Sequence, residues 1–231
     1  MTDMEEINTI TKTVHKFVME YGYNQWFIVI GISLLFLWFT FQAFKPKNKT
    51  DWKSYGAFSA FIVALFAEMY GFPLSIYLLI SWFGNKFPQL TLTHSGGHLL
   101  EILLGNKGDP HFSLFHIISN VFIIGGLFLI ADAWKILYAA VQKNSLAVEG
   151  PYRYIRHPQY AGFIAIIIGF LLQWPTVPTL MLAPLLIYRY IRLAKSEELQ
   201  MHKQFGTTYI QYKKETPGFF PSIKTLYRER R

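Results

Sequence analysis

The chain has 231 residues, 52% of them hydrophobic against 16% charged, and carries a net charge of +8. That balance is too apolar for a soluble domain of this size and places the chain among membrane proteins. With no cysteine in the sequence, disulfides, thiolate metal sites and a cysteine nucleophile are excluded together.

Crossing a hydrocarbon core takes about 20 apolar residues in a helix. In chain order the sequence predicts spans over Trp26–Phe44, Ala57–Trp82, Leu114–Ala140, Tyr160–Trp174 and Pro178–Ile191. The first run is preceded by Asp3, Glu5, Glu6 and Glu20 and lacks both a basic leader and a small-residue cleavage site, so it is expected to stay as a helix. Pro73 is expected to kink the second span, with Glu68 turned toward protein or an aqueous cleft. Trp174-Pro175-Thr176-Val177-Pro178 reads as a tight turn at the bilayer edge, so the last two spans form a helical hairpin. The expected fold is all-α: a polytopic integral membrane protein of about five transmembrane helices, ending in that hairpin and a cytoplasmic catalytic tail. Residues 1–231 form one membrane domain, with 1–140 as scaffold and substrate-channel helices and 141–231 as the catalytic half.

Lysine and arginine alternate between rich and poor segments, and ten of the 22 lie from Arg189 onward. This puts 45–54, 141–158 and 195–231 on the cytoplasmic side and the N-terminus outside. The basic tail favours anionic lipid headgroups over nucleic acid.

Residues 94–116 hold His94, His98, His111 and His116 with Glu101 and Asp109. The spacing of His94, His98 and Glu101 is helical, but Gly96-Gly97 interrupts it. An amphipathic interfacial helix from His98 to Leu104 is therefore expected, with no metal site.

The densest polar stretch runs from Glu149 to Gly162 and leads straight into an apolar run. Gly150-Pro151 marks a turn, and Pro158 disfavours helix at His157 while suiting the first turn of a helix that starts there. His157 thus sits at a helix N-terminus, where unpaired N–H groups, with Arg153 and Arg156 alongside, would suit a carboxylate or phosphate.

Gly150-Pro151-Tyr152-Arg153-Tyr154-Ile155-Arg156-His157-Pro158-Gln159-Tyr160-Ala161-Gly162, then Trp174-Pro175, Glu197-Glu198 and Phe205-Gly206-Thr207-Thr208-Tyr209-Ile210-Gln211-Tyr212, resemble the C-terminal signature of the isoprenylcysteine carboxyl methyltransferase family. The likeness covers roughly 144–221. Phospholipid methyltransferases and some membrane sterol reductases share a similar half. The resemblance implies S-adenosylmethionine (SAM) as cofactor, bound on the cytoplasmic side, and a lipophilic or small methyl acceptor reached from the bilayer, such as a prenylcysteine-like carboxylate. A phospholipid amine or a small thiol remains an alternative acceptor, and an NADPH-dependent sterol-type reductase an alternative class. Carried over residue by residue, cofactor contacts fall on Asn144, Ser145, Leu146 and Ala147, on Tyr152, His157, Pro158, Gln159 and Tyr160, and on Glu197, whose carboxylate would accept from the cofactor's ammonium.

The family places an arginine four residues before the matched glutamate to meet a substrate carboxylate, whereas this chain has Leu193 there. Arg192 and Arg189 are the candidate substitutes on the acceptor side. Glu198, His157 or a tyrosine is a candidate base, needed only if the acceptor is a thiol or an amine.

Overall fold

The computed structural model describes residues 23–44, 46, 49–86, 94–105 and 109–226, all of whose regular elements are helical. The acidic N-terminal residues used in the leader argument and the last basic ones used in the orientation argument lie outside the described residues, as does the side chain of His94.

Helix α1 (Trp26–Phe44) is apolar throughout, and α2 begins at Lys49 and runs to Phe66. Beyond it Ala67–Gly71 forms a π-helical turn, closed by Phe72 N–H on the Ala67 carbonyl at 2.8 Å. Pro73 follows, and α3 (Leu74–Phe83) leaves at 62° to the preceding helix. The bend is held by Glu68, 5% exposed, whose carboxylate accepts from both Ser75 N–H and Ser75 Oγ at 3.0 Å. A buried carboxylate so bonded serves as the cap that α3 lacks from its own N-cap residue, Pro73.

After the short α4 (Leu99–Leu103) comes α5 (Leu114–Gln142), capped by Ser113 Oγ on His116 N–H at 3.1 Å. α6 (Pro158–Gln173) lies against α5 at very close range. A Cβ added at Gly162 would stand 2.8 Å from the Gly126 carbonyl oxygen, and one at Gly126 2.7 Å from that of Gly162. Small residues let two backbones approach where lipid supplies no hydrophobic drive between helices. α7 (Val177–Glu215) starts from a Thr176/Thr179 capping box and is broken at Gly206, whose φ of 52° suits glycine. A final turn, α8, covers Ile223–Leu226.

The core joins α1, α2, α6 and α7 through Val29, Phe58, Phe61, Ile62, Leu65, Phe163, Ile166, Ile167 and Tyr190. Outward faces stay apolar, with Phe27, Leu34, Trp38, Phe128 and Leu185 exposed, as a hydrocarbon solvent allows. Of the five predicted spans, two fall in helices that meet the length and hydropathy of a crossing helix among the described residues. α5 and α7 are each long and apolar enough to cross a membrane, and the bent Trp52–Gly71 and Leu74–Phe83 pair makes a third if it acts as one span. α1 is apolar but short, and α6 is stopped by Trp174-Pro175 after 16 residues, about 24 Å.

A second correction concerns the histidine-rich segment. The helix after His98 has only five residues, and His98 and Glu101 are 3% and 7% exposed. The polar residues of this segment therefore face the protein while Leu103 and Leu104 stay exposed, the reverse of a helix that turns its polar face to the headgroups.

Candidate functional site

The end of α5, the turn that follows, the start of α6 and the polar part of α7 enclose a cavity of about 310 Å³. Two residues beyond the end of α5, Asn144 has a φ of 48°, the left-handed conformation that asparagine tolerates at a helix end. Its Oδ1 accepts from Gln204 Nε2 of α7 at 3.0 Å, tying the two walls together. Asn144, Ser145, Leu146, Ala147, Tyr152, His157, Gln159 and Glu197 all line this cavity. Pro158 and Tyr160 stand behind it. Pro158 opens α6, and Tyr160 Oη donates to Glu197 Oε1.

Glu197 is the one carboxylate among the lining residues. Its Oε2 has only long contacts, 3.5 Å from Gln159 Nε2 and 3.7 Å from His157 Nδ1. Tyr152 Oη donates to Gln159 Oε1 at 2.9 Å, and Tyr212 Oη to the Tyr152 carbonyl at 2.7 Å. Burial, with the Glu197 charge nearby, pushes the Tyr152 phenol well above its usual range, so it acts as a neutral hydrogen-bonding wall.

Arg156 and the start of α6, expected to meet an anion, are both engaged within the protein. Arg156 Nε and Nη2 meet Glu198 Oε1 at 3.0 and 2.6 Å, and Nη1 donates to the Thr216 carbonyl. Arg156 N–H and His157 N–H donate to the carbonyls of Pro217 and Gly218 at 2.8 and 3.0 Å. The chain after α7 thus folds back over the motif, and Phe219 packs on the His157 ring at 5.6 Å.

Glu198 does not line the cavity. It binds Arg156, His157 Nε2 at 3.1 Å and Lys213 Nζ at 2.6 Å. It lies in the polar continuation of α7, seven residues beyond the predicted end of the last span at Ile191. Burial opposes its charge, but the bonds from Lys213, Arg156 and His157 outweigh burial and hold its carboxyl at about 2, against an ordinary 4.5. A carboxylate so held is a clamp and a poor base. A carboxyl lowered on folding stabilises above its ordinary pKa and loses that effect as pH falls through its folded value. The stability gap between wild type and Glu198→Gln, read by thermal unfolding in detergent, is therefore expected to hold from about pH 8 to pH 5 and to close between 4.5 and about 2.

Arg189 and Arg192, the candidate acceptor-side cations, are exposed and away from the cavity. The buried face of α7 is Ala183, Leu186, Tyr190 and Ala194, and both arginines lie off it. Arg192 lies over the Tyr188 ring at 5.9 Å, as an interfacial anchor would.

A second hollow of about 460 Å³, lined by residues such as Ala161, Ile164, Ala165, Ile168, Ile191 and Phe219, runs between α6 and α7. Phe219 forms part of its wall and also covers His157, so the apolar hollow and the polar cavity meet at that pair of rings. Motif spacing alone gave no sign of Phe219 or Lys213, because both arrive by the chain's return beyond Gly206.

Residues 114–208 match the family model for phospholipid methyltransferases. A 79-residue segment is 30% identical to the protein-S-isoprenylcysteine O-methyltransferase of Schizosaccharomyces pombe, covering 34% of this chain and 34% of that protein. The chain thus matches about a third of the length of that curated relative. No solved structure matches it.

Proposed function

From a chain whose residues 114–208 are of the phospholipid methyltransferase type, we propose that this membrane protein transfers a methyl group from SAM to an acceptor that carries a hydrocarbon chain. The observation that carries the reading is the convergence of Asn144–Ala147, Tyr152, His157, Gln159 and Glu197 on one cavity. Its volume falls in the range of about 300–1,000 Å³ found for small-molecule sites.

The donor set fits such a cofactor. Glu197, with its second oxygen only loosely engaged, would accept from the ammonium and offset the sulfonium charge. The tyrosines 152, 209 and 212 offer aromatic surface to a cationic centre and an adenine. Bound there, SAM supplies a methyl group activated by the sulfonium. The protein's part is to position the two reactants and exclude water, with no covalent intermediate on the chain. A carboxylate acceptor attacks the methyl carbon as its bond to sulfur breaks, giving a methyl ester and S-adenosylhomocysteine, with no proton to remove. That suits a site where Glu198 is locked in ion pairs.

The apolar hollow beside Phe219 supports a lipophilic acceptor, prenylcysteine-like or phospholipid. The basic residues from Lys195 onward support a cytoplasmic position for the cofactor cavity. The test is calorimetric titration of the detergent-purified protein with S-adenosylhomocysteine and with NADPH. Saturable binding of the first alone is expected, and binding of NADPH alone would move the protein to the reductase class. In an acceptor screen, Ala165→Phe is expected to raise KM for long-chain acceptors while leaving S-adenosylhomocysteine binding intact. An unchanged KM would remove the hollow from the acceptor path.

A further inference from the structure

The long helix α5 has two opposite faces. Ser119, Ile123, Gly126, Ile130, Ala133 and Ala140 are buried against the bundle. On the other side Ile117, Asn120, Ile124, Phe128, Ala131 and Lys135 recur every three or four residues along one face, and each of them is exposed. The apolar members of that line need only lipid around them. Asn120 needs more.

Six residues beyond Leu114, Asn120 stands about 9 Å along a helix that is long and apolar enough to cross a membrane. Its side chain is exposed and has no hydrogen-bond partner among the described residues. Acyl chains offer an amide neither donor nor acceptor, and membrane helices meet that cost by turning such a group toward another helix. Further along α5, Asp132 and Lys135 are exposed as well, and neither has an ion-pair partner among the described residues. One face of one helix therefore presents an amide at one level and a pair of opposite charges at another, all unmatched within the chain.

We infer that α5 pairs through this face with α5 of a second copy of the chain, about a two-fold axis along the membrane normal. Copies inserted with one topology bring equal depths together, so each level must complement itself. An asparagine amide carries both donors and an acceptor and pairs with its own kind. Asp132 and Lys135 lie three residues apart, about 4.5 Å along the axis, so the carboxylate of each copy stands beside the ammonium of the other and the four charges cancel. An unrelated helix would need to match both levels by coincidence. Phe122, which lines the apolar hollow, lies about 160° round α5 from Ile124, so pairing leaves that hollow open. The contact is independent of methyl transfer.

The sequence has no cysteine, so single introduced cysteines report the contact directly. In membranes from cells making the full-length protein, oxidation with copper phenanthroline is expected to convert Ile124→Cys into a reducible dimer of twice the chain mass. Leu185→Cys, exposed on α7 at a similar distance from that helix's start, is expected to stay monomeric. In lipid vesicles, Förster transfer between labelled copies at graded protein-to-lipid ratios gives the dissociation constant. Asn120→Leu is expected to raise it about 3- to 30-fold and Asn120→Gln, which keeps an amide, by less. All these positions are exposed, and thermal unfolding checks that each variant folds. No cross-link from Ile124→Cys, equal yields from the two positions, a product containing another protein, or a dissociation constant unchanged by Asn120→Leu overturns the inference.

Discussion

Glu197→Gln is expected to weaken S-adenosylhomocysteine binding by about 10- to 100-fold, the cost of replacing a charged acceptor by a neutral one at about 1.5–3 kcal/mol. The amide keeps the shape of the carboxylate, and its oxygen still accepts from Tyr160 Oη, so the fold should be preserved. Glu198→Gln should weaken binding less at neutral pH, because Glu198 faces Arg156 and Lys213 rather than the cavity. Calorimetry on the two variants separates these roles. Equal and negligible effects would end the assignment of Glu197 to the ammonium.

Gly162→Ala is expected to lower stability by about 1–3 kcal/mol and to abolish detectable cofactor binding with it. The added Cβ would stand 2.6 Å from Ile130 Cγ1 and 2.8 Å from a backbone oxygen of α5. Backbone cannot rotate aside as a flexible side chain can, so the helices must separate. The site suffers because α5 and α6 carry opposite walls of the cavity, Asn144–Ala147 following one and His157–Gln159 starting the other. Gly125→Ala, one residue from the contact and with nothing within 4 Å of its Cβ, is the control and should be neutral. Thermal unfolding of the pair reads the difference, and equal midpoints would show that the close approach is not needed.

Helix positions were legible because apolar runs of this length have few alternatives in a bilayer, and α1 occupies the residues its hydropathy marked. Where helices end was less so. Pro73 announced a kink, but the π-turn and the Glu68 cap that set its angle depend on Ser75 meeting a carboxylate across the break. The last span appeared to stop at Ile191, yet α7 continues to Glu215, since the face bearing Tyr190 and Ala194 passes on into Glu197 and Met201 without interruption. Around the cavity, the residues inside the motif could be listed from order alone. What escaped is set by chain return: the carbonyls of Thr216, Pro217 and Gly218, and Lys213, reach Arg156 and Glu198 across a break at Gly206 that no periodicity encodes. The histidines were visible as a cluster in sequence, but the burial of His98 against Trp174 was not.

The fold-back of Thr216–Phe220 also sets an order of events during synthesis. Those residues leave the ribosome after every membrane helix, and until they do, Arg156 and His157 lack the carbonyls that receive their amide protons and the ring that covers the imidazole. A nascent chain halted at Glu215 would therefore hold its helices with the pocket unfinished. On the proposed function, a copy still lacking Thr216–Phe220 would have the helices that carry the cavity without the segment that closes over His157.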